Sequence, residues 1–275
     1  MTTGTIFQSL PAVFSPLVPL KPVVRKSILQ PQTWFLCDRR RPLYVIKFSA
    51  GSPRAARMVL RETAFYAGLA QYQDESPVVK RIPRLVWSGE LLGSPAMILG
   101  YCNLPMPGRW IPRMMRWASA IVSRWQRGIL KWLAEFQDDA VVRASLAIPP
   151  QEVPCHGDFS HFNILGAGDS FQVFDWENWT STEYRFLDPL HLLVMPTLGG
   201  ENVDSSLKRF ERYWTCDNSY RRHAVAGLGP FLSGMDWQEA MVIYLRFQAE
   251  ALYSVAPEIE ETFLGCEEAW RRYRG

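Results

Sequence analysis

Cysteine is scarce in this chain, with five in 275 residues and none in a C-x-x-C pair. Cys37, Cys102, Cys155, Cys216 and Cys266 are scattered, which argues against a disulfide framework or a cysteine-rich zinc site and for reduced thiols in a cytoplasmic protein. Charge of one sign is also lacking. Thirty Lys and Arg against 27 Asp and Glu leave a net charge of +3, and no run is basic enough to mark a nucleic-acid surface. Long apolar runs are absent too, so no stable membrane insertion is expected. The opening twenty residues precede the first charge, Lys21, but Pro11, Pro16 and Pro19 interrupt them and no basic n-region leads them. They read as an extended lead-in and not as an anchor. There is no internal repeat and no low-complexity tract. What remains is 48% hydrophobic and 13% aromatic, ample for two ordinary domains or one large bilobal one.

Strand signals crowd the first third. Thr33–Cys37 and Leu43–Phe48, rich in β-branched and aromatic residues, flank the polar break Asp38–Pro42 and predict a β-hairpin. Ala56, Val59, Leu60, Thr63 and Ala67 recur at helical spacing and predict a helix over Arg54–Ala70. Two more strands are expected at Arg84–Trp87 and Ala96–Leu99, with a turn at Gly89–Gly93. From Pro112 the chain turns helical: Ala118, Ile121, Val122, Trp125, Ile129, Trp132, Leu133 and Phe136 share a face, while Arg116, Arg124, Arg127 and Lys131 lie elsewhere. Such a helix suits a core with a solvated basic side better than a membrane surface. Short strands are expected at Val153–Cys155, Ile164–Leu165 and Phe171–Phe174, and helices at Trp237–Ser254 and Ile259–Tyr273. A strand-rich start before a helix-rich remainder predicts an α+β chain in two lobes, joined near Gly100–Pro107.

The chemistry concentrates in Cys155-His156-Gly157-Asp158-Phe159-Ser160-His161-Phe162-Asn163-Ile164-Leu165, followed by Val173-Phe174-Asp175-Trp176-Glu177. Asp158 and Asn163 stand five apart on a loop between apolar strands. Asp175 comes twelve residues later, beyond a turn carrying Gly166 and Gly168. Two strands joined by that turn would set Asn163 beside Asp175, an oxygen-rich pair suited to a hard cation such as Mg²⁺. Phosphoryl transfer needs such a set: one Asp to take the hydroxyl proton, an Asn and a second Asp for the metal.

This stretch resembles the His-Gly-Asp loop and the following Asp-Trp-Glu of the aminoglycoside phosphotransferase and choline kinase superfamily, in its bacterial "phosphotransferase enzyme family" form. Leu187-Asp188-Pro189-Leu190-His191 adds to the likeness, which runs from the first hairpin to His191. The resemblance implies a protein-kinase-like bilobal fold. Residues 1–101 would form a nucleotide-binding lobe with a five-stranded antiparallel sheet and one helix, and residues 102–275 a mainly helical catalytic and substrate lobe. It further implies Asp158 as base, Asn163 and Asp175 as Mg²⁺ ligands, and Lys47, ending Tyr44-Val45-Ile46-Lys47, as the holder of the ATP phosphates. Glu62 would pair with Lys47, and the segment from Met97 to Cys102, with Leu99 and Tyr101, would meet adenine. The expected activity moves the γ-phosphate of ATP to a hydroxyl of a small molecule: an aminoglycoside, amino alcohol, sugar or glycan precursor.

The chain also departs from the pattern. No G-x-G-x-x-G precedes Lys47, and Lys21–Gln32 holds no glycine. Gly157 replaces the Arg that in protein kinases pairs with an activation-loop phosphate, and D-F-G and A-P-E are missing. These departures leave two alternatives: a kinase-fold binding module without catalysis, and a metal-dependent hydrolase using His156, Asp158 and His161. His156 and Asp188 read as structural residues of the loop, and Cys155 as a small core residue. Glu177 suits a second metal, a cationic acceptor or a turn cap, and Glu183 also suits a cationic acceptor.

Overall fold

The computed structural model describes residues 10–14, 16–20, 30–107, 110–111, 114–115, 119–199, 202–252 and 257–274. Most of the glycine-free stretch before Lys47, the first nine residues of the lead-in, Arg116, Ala118 and Ser254 lie outside them. The fold is mixed α+β, and the chain divides into two compact units. The first comprises Met1–Leu104, Ala140–Ala147 and Gln172–Trp179; the second comprises Pro105–Asp139, Ile148–Phe171 and Thr180–Gly275.

The first unit is built on an antiparallel sheet of β1 (Val18–Leu20), β2 (Gln32–Asp38), β3 (Arg41–Phe48), β4 (Leu85–Leu91) and β5 (Ser94–Gly100), in the order β1-β2-β3-β5-β4. β2 and β3 are the expected hairpin, each extended by one or two residues at its ends. Alternation along β3 sets the function of its last residues. Ile46 and Phe48 enter a core with Trp34, Leu36, Leu91 and Ile98, which places Lys47 on the opposite face of the sheet. Helix α1 (Pro53–Leu69) packs against β3, β4 and β5. Ser52 caps it by accepting from the Ala55 amide at 3.3 Å, and Pro53 supplies a preset first turn.

The buried face of α1 shares Val59 with the expected one but leaves out two of its residues. Leu60 and Ala67 are exposed, while Ala55, Val59, Glu62, Tyr66 and Leu69 are buried, at intervals of three and four. The helix is turned so that a carboxylate, Glu62, faces inward, and the burial of an ammonium nearby explains why.

The second unit is mostly helical. Its helices are α2 (Ser119–Asp138), α4 (Leu187–Val194), α5 (Val203–Trp214), α6 (Ser219–Leu232), α7 (Trp237–Leu252) and α8 (Pro257–Arg274); α3 (Ala140–Ser145) belongs to the first unit. α2 buries Val122, Trp125, Ile129, Trp132, Leu133 and Phe136, and its Arg124, Arg127 and Lys131 are exposed. Ile121 is an exception to the expected face, being 58% exposed. The short β6 (Val153–Cys155) pairs antiparallel with β9 (Thr180–Thr182). β7 (Ile164–Ala167) and β8 (Ser170–Val173) follow the Cys155–Asn163 loop in sequence. α4 is buried at every residue, and α7 and α8 pack against each other beyond it. No helix of the described residues is long and apolar enough to cross a membrane. All five cysteines are free.

Candidate functional site

Two groups of side chains stand out, one in each unit. In the first unit Lys47 is only 5% exposed, and its Nζ donates to Glu62 Oε2 at 2.5 Å, to Asp175 Oδ1, and to Glu177 Oε2 at 3.4 Å. An ammonium on the covered face of a sheet is tolerable only with such partners, because desolvation of an unpaired charge costs several kcal/mol. Burial by itself would lower the Lys47 pKa, but Asp175, Glu62 and Glu177 together outweigh it and raise the value above that of free lysine. Burial pushes the Glu62 carboxyl up to about 7 against the opposing pull of Lys47.

The segment carrying Asp175 and Glu177 is fastened to α1. Glu62 Oε1 accepts from the Trp176 amide at 3.2 Å and from Tyr66 Oη at 3.3 Å. Burial, then the Glu62 charge, raises the Tyr66 phenol well above its usual pKa, so it keeps the proton it donates to Glu62. The Trp176 ring stacks on Phe65 with centroids 4.1 Å apart, and Trp179 Nε1 donates to Arg61 O at 2.8 Å. Asp175 itself adopts a left-handed backbone, φ 69° and ψ 52°, an uncommon state for a residue with a Cβ and one that clusters at functional sites.

Glu62, Asp175 and Glu177 each offer one carboxylate oxygen, all within 4.8 Å of one another. Hard oxygen donors at that spacing fit Mg²⁺, and Lys47 is ion-paired with the same three carboxylates. The set His156, Asp158 and His161, on which a metal-hydrolase reading would depend, is not a metal-capable group among the described residues. Asp175 therefore appears as a partner of Lys47, a contact its position beyond the Asn163 loop did not suggest.

In the second unit the Cys155–Asn163 loop is held from two sides. Asp188, near the start of α4, accepts from the His156 amide at 2.6 Å, the Gly157 amide at 3.1 Å and Cys155 Sγ at 3.3 Å. Gly157 has φ 81°, where a side chain would strain the backbone. Phe159 is fully buried against Trp132, and His156 lies edge-on to it. Asn163 Nδ2 donates to Asp158 O at 2.8 Å and to Asp158 Oδ2 at 3.0 Å, which turns the five-residue spacing into a closed loop. The Asp158 side chain remains 45% exposed. Its other oxygen, Oδ1, lies 3.0 Å from His191 Nε2, and His191 Nδ1 lies 3.1 Å from Tyr244 Oη.

His161 is 1% exposed, and neither ring nitrogen has a hydrogen-bond partner. Burial, then the neighbouring His191, pushes its pKa down to about 4, so it is a neutral ring at ordinary pH. Leu99 is buried on β5 opposite Val45, and the Tyr101 amide donates to Leu43 O at 3.0 Å, closing the end of the sheet. Sequence reasoning missed His191 as a partner of Asp158, and it missed Tyr244 altogether. The only signal was the position of His191 three residues after Asp188, which on a helix puts both on one face. Compared with known proteins, the chain matches no family model and no curated protein.

Proposed function

We propose that this protein is an ATP- and Mg²⁺-dependent phosphotransferase of the protein-kinase-like fold, moving the γ-phosphate of ATP to a hydroxyl of a small molecule. The observation that carries the reading is the buried ammonium of Lys47 at the end of β3, ion-paired at 2.5 Å with Glu62 of the following helix. That strand-lysine and helix-glutamate pair is the arrangement protein kinases require to hold the α- and β-phosphates. Asp175, which the resemblance assigns to the metal, bonds to the same ammonium.

In this reading Lys47 binds the phosphates and Glu62 keeps its ammonium aimed. Asp175 and Glu177, with Asn163 offering its amide oxygen, would hold Mg²⁺, which when bound neutralises charge on the β- and γ-phosphates. Asp158 takes the proton of the acceptor hydroxyl as its oxygen bonds to the γ-phosphorus. The bond from that phosphorus to the β–γ bridging oxygen breaks, and ADP leaves. Leu99 and Tyr101 are assigned to the adenine side. Exposure of the Asp158 carboxylate is compatible with a base that must meet an incoming hydroxyl.

The test is a screen for ATP consumption over hydroxylated metabolites, run beside the Asp158→Asn variant and a thermal-shift titration with ATP and Mg²⁺. Stabilisation by ATP–Mg²⁺ and acceptor-dependent consumption lost in Asp158→Asn are expected. A chain that binds ATP–Mg²⁺ and consumes none is the non-catalytic binding module. A chain that ignores millimolar ATP–Mg²⁺ overturns the reading.

A further inference from the structure

The base assigned above does not stand alone. Asp158 Oδ2 is engaged by Asn163, and Oδ1 lies 3.0 Å from Nε2 of His191, whose side chain is 6% exposed and sits on a helix buried along its whole length. His191 Nδ1 in turn lies 3.1 Å from Oη of Tyr244, a fully buried residue of α7. Three side chains from three distant parts of the chain thus form one line of hydrogen bonds, ending on the exposed carboxylate.

The chemistry of the groups fixes the direction of that line. An ionised carboxylate only accepts, so the proton must be on His191 Nε2. When the ring is neutral its lone pair is then on Nδ1, and Tyr244 Oη donates to it. The Tyr244 hydroxyl has no other hydrogen-bond partner among the described residues, and burial raises its pKa well above the usual value, so it keeps its proton. In the opposite tautomer the lone pair of Nε2 would face the carboxylate, and the phenolic hydrogen would be buried without an acceptor, the costly case for a polar group.

We infer that His191 and Tyr244 are positioning residues for Asp158: Tyr244 selects the Nε2–H tautomer of His191, and His191 fixes the rotamer of the Asp158 carboxylate for the incoming hydroxyl. α4 thereby acts twice on the same loop, since Asp188 holds its backbone and His191, three residues on, holds its reactive side chain. The consequence for turnover rests on the phosphotransferase reading; the tautomer does not.

The tautomer is read directly by nitrogen–proton correlation spectroscopy of ¹⁵N-histidine-labelled protein at neutral pH. Four histidines keep the spectrum simple, and the His191→Gln variant identifies the signal. His191 should show a protonated Nε2 and an unprotonated Nδ1, and Tyr244→Phe should erode that preference. In ATP turnover, Tyr244→Phe and His191→Phe should lower kcat about tenfold or more with KM for ATP unchanged, as a misplaced reactive group does. His191→Gln, which retains an N–H for Asp158, should keep more activity than His191→Phe. A proton on Nδ1, or a tautomer and a turnover both indifferent to Tyr244→Phe, overturns the inference. Should the wild-type chain consume no ATP, the phosphotransferase reading fails and the tautomer alone decides the placement of His191.

Discussion

Lys47 and Asp158 are held in opposite ways. Around Lys47 the charges are buried and dense: one ammonium touches three carboxylates, and the cluster persists because each charge answers another. Around Asp158 the carboxylate stays half in water, and the side chains behind it (His191, Tyr244, Asn163) are joined by hydrogen bonds. The first arrangement suits a group that must stay charged and be handed to phosphates. The second suits a group that must gain and lose a proton without unsettling the fold. Removing one member should therefore damage stability in the first unit and activity in the second.

The largest break is expected from Lys47→Met. It leaves Glu62, Asp175 and Glu177 facing one another without their cation and should cost about 3–5 kcal/mol in urea unfolding. The double variant Lys47→Met/Glu62→Leu should recover part of that, because the deepest carboxylate goes with its partner. A loss under about 1 kcal/mol would show that the cluster adds no net stability.

Acid comes next and acts on the second unit. His161 binds a proton near pH 6.5 when unfolded and only near pH 4 when folded. Its contribution is therefore complete above about pH 6.5 and is lost as the pH falls toward 4, up to about 3 kcal/mol at 1.36 kcal/mol per unit. Thermal melts of wild type and His161→Phe across that range should diverge, the variant losing the acid-sensitive part. Parallel curves would remove His161 from the account.

Asp158→Asn should lower ATP turnover by about 10²-fold, about 2.7 kcal/mol in the barrier, while shifting the unfolding midpoint little. Full activity in that variant would refute the base. The smallest effect is Ser52→Ala. It removes the cap of α1 and should cost about 1 kcal/mol in chemical denaturation, and a neutral result would mean that the packing of α1 holds it without the cap.

The hairpin, α1, β6 and the start of α7 were legible because apolar periodicity encodes them. Lys47 and Glu62 were legible as candidates through strand and helix placement. The inward position of Glu62 among Ala55, Val59, Phe65, Tyr66 and Leu69 was not, since apolar periodicity cannot foresee a carboxylate buried with an ammonium. The bond of Asp175 to Lys47 spans 128 residues, and no local pattern announces it. His191 and Tyr244 are 53 residues apart on separate helices, and nothing in either local sequence announces the other.

The left-handed turn at Asp175 has an evolutionary edge. Glycine and asparagine are the residues most at ease with that backbone, and both lack the negative charge. Mutations that relax the chain there would thus discharge the cluster, so drift toward conformational comfort and retention of the ion group pull this position in opposite directions.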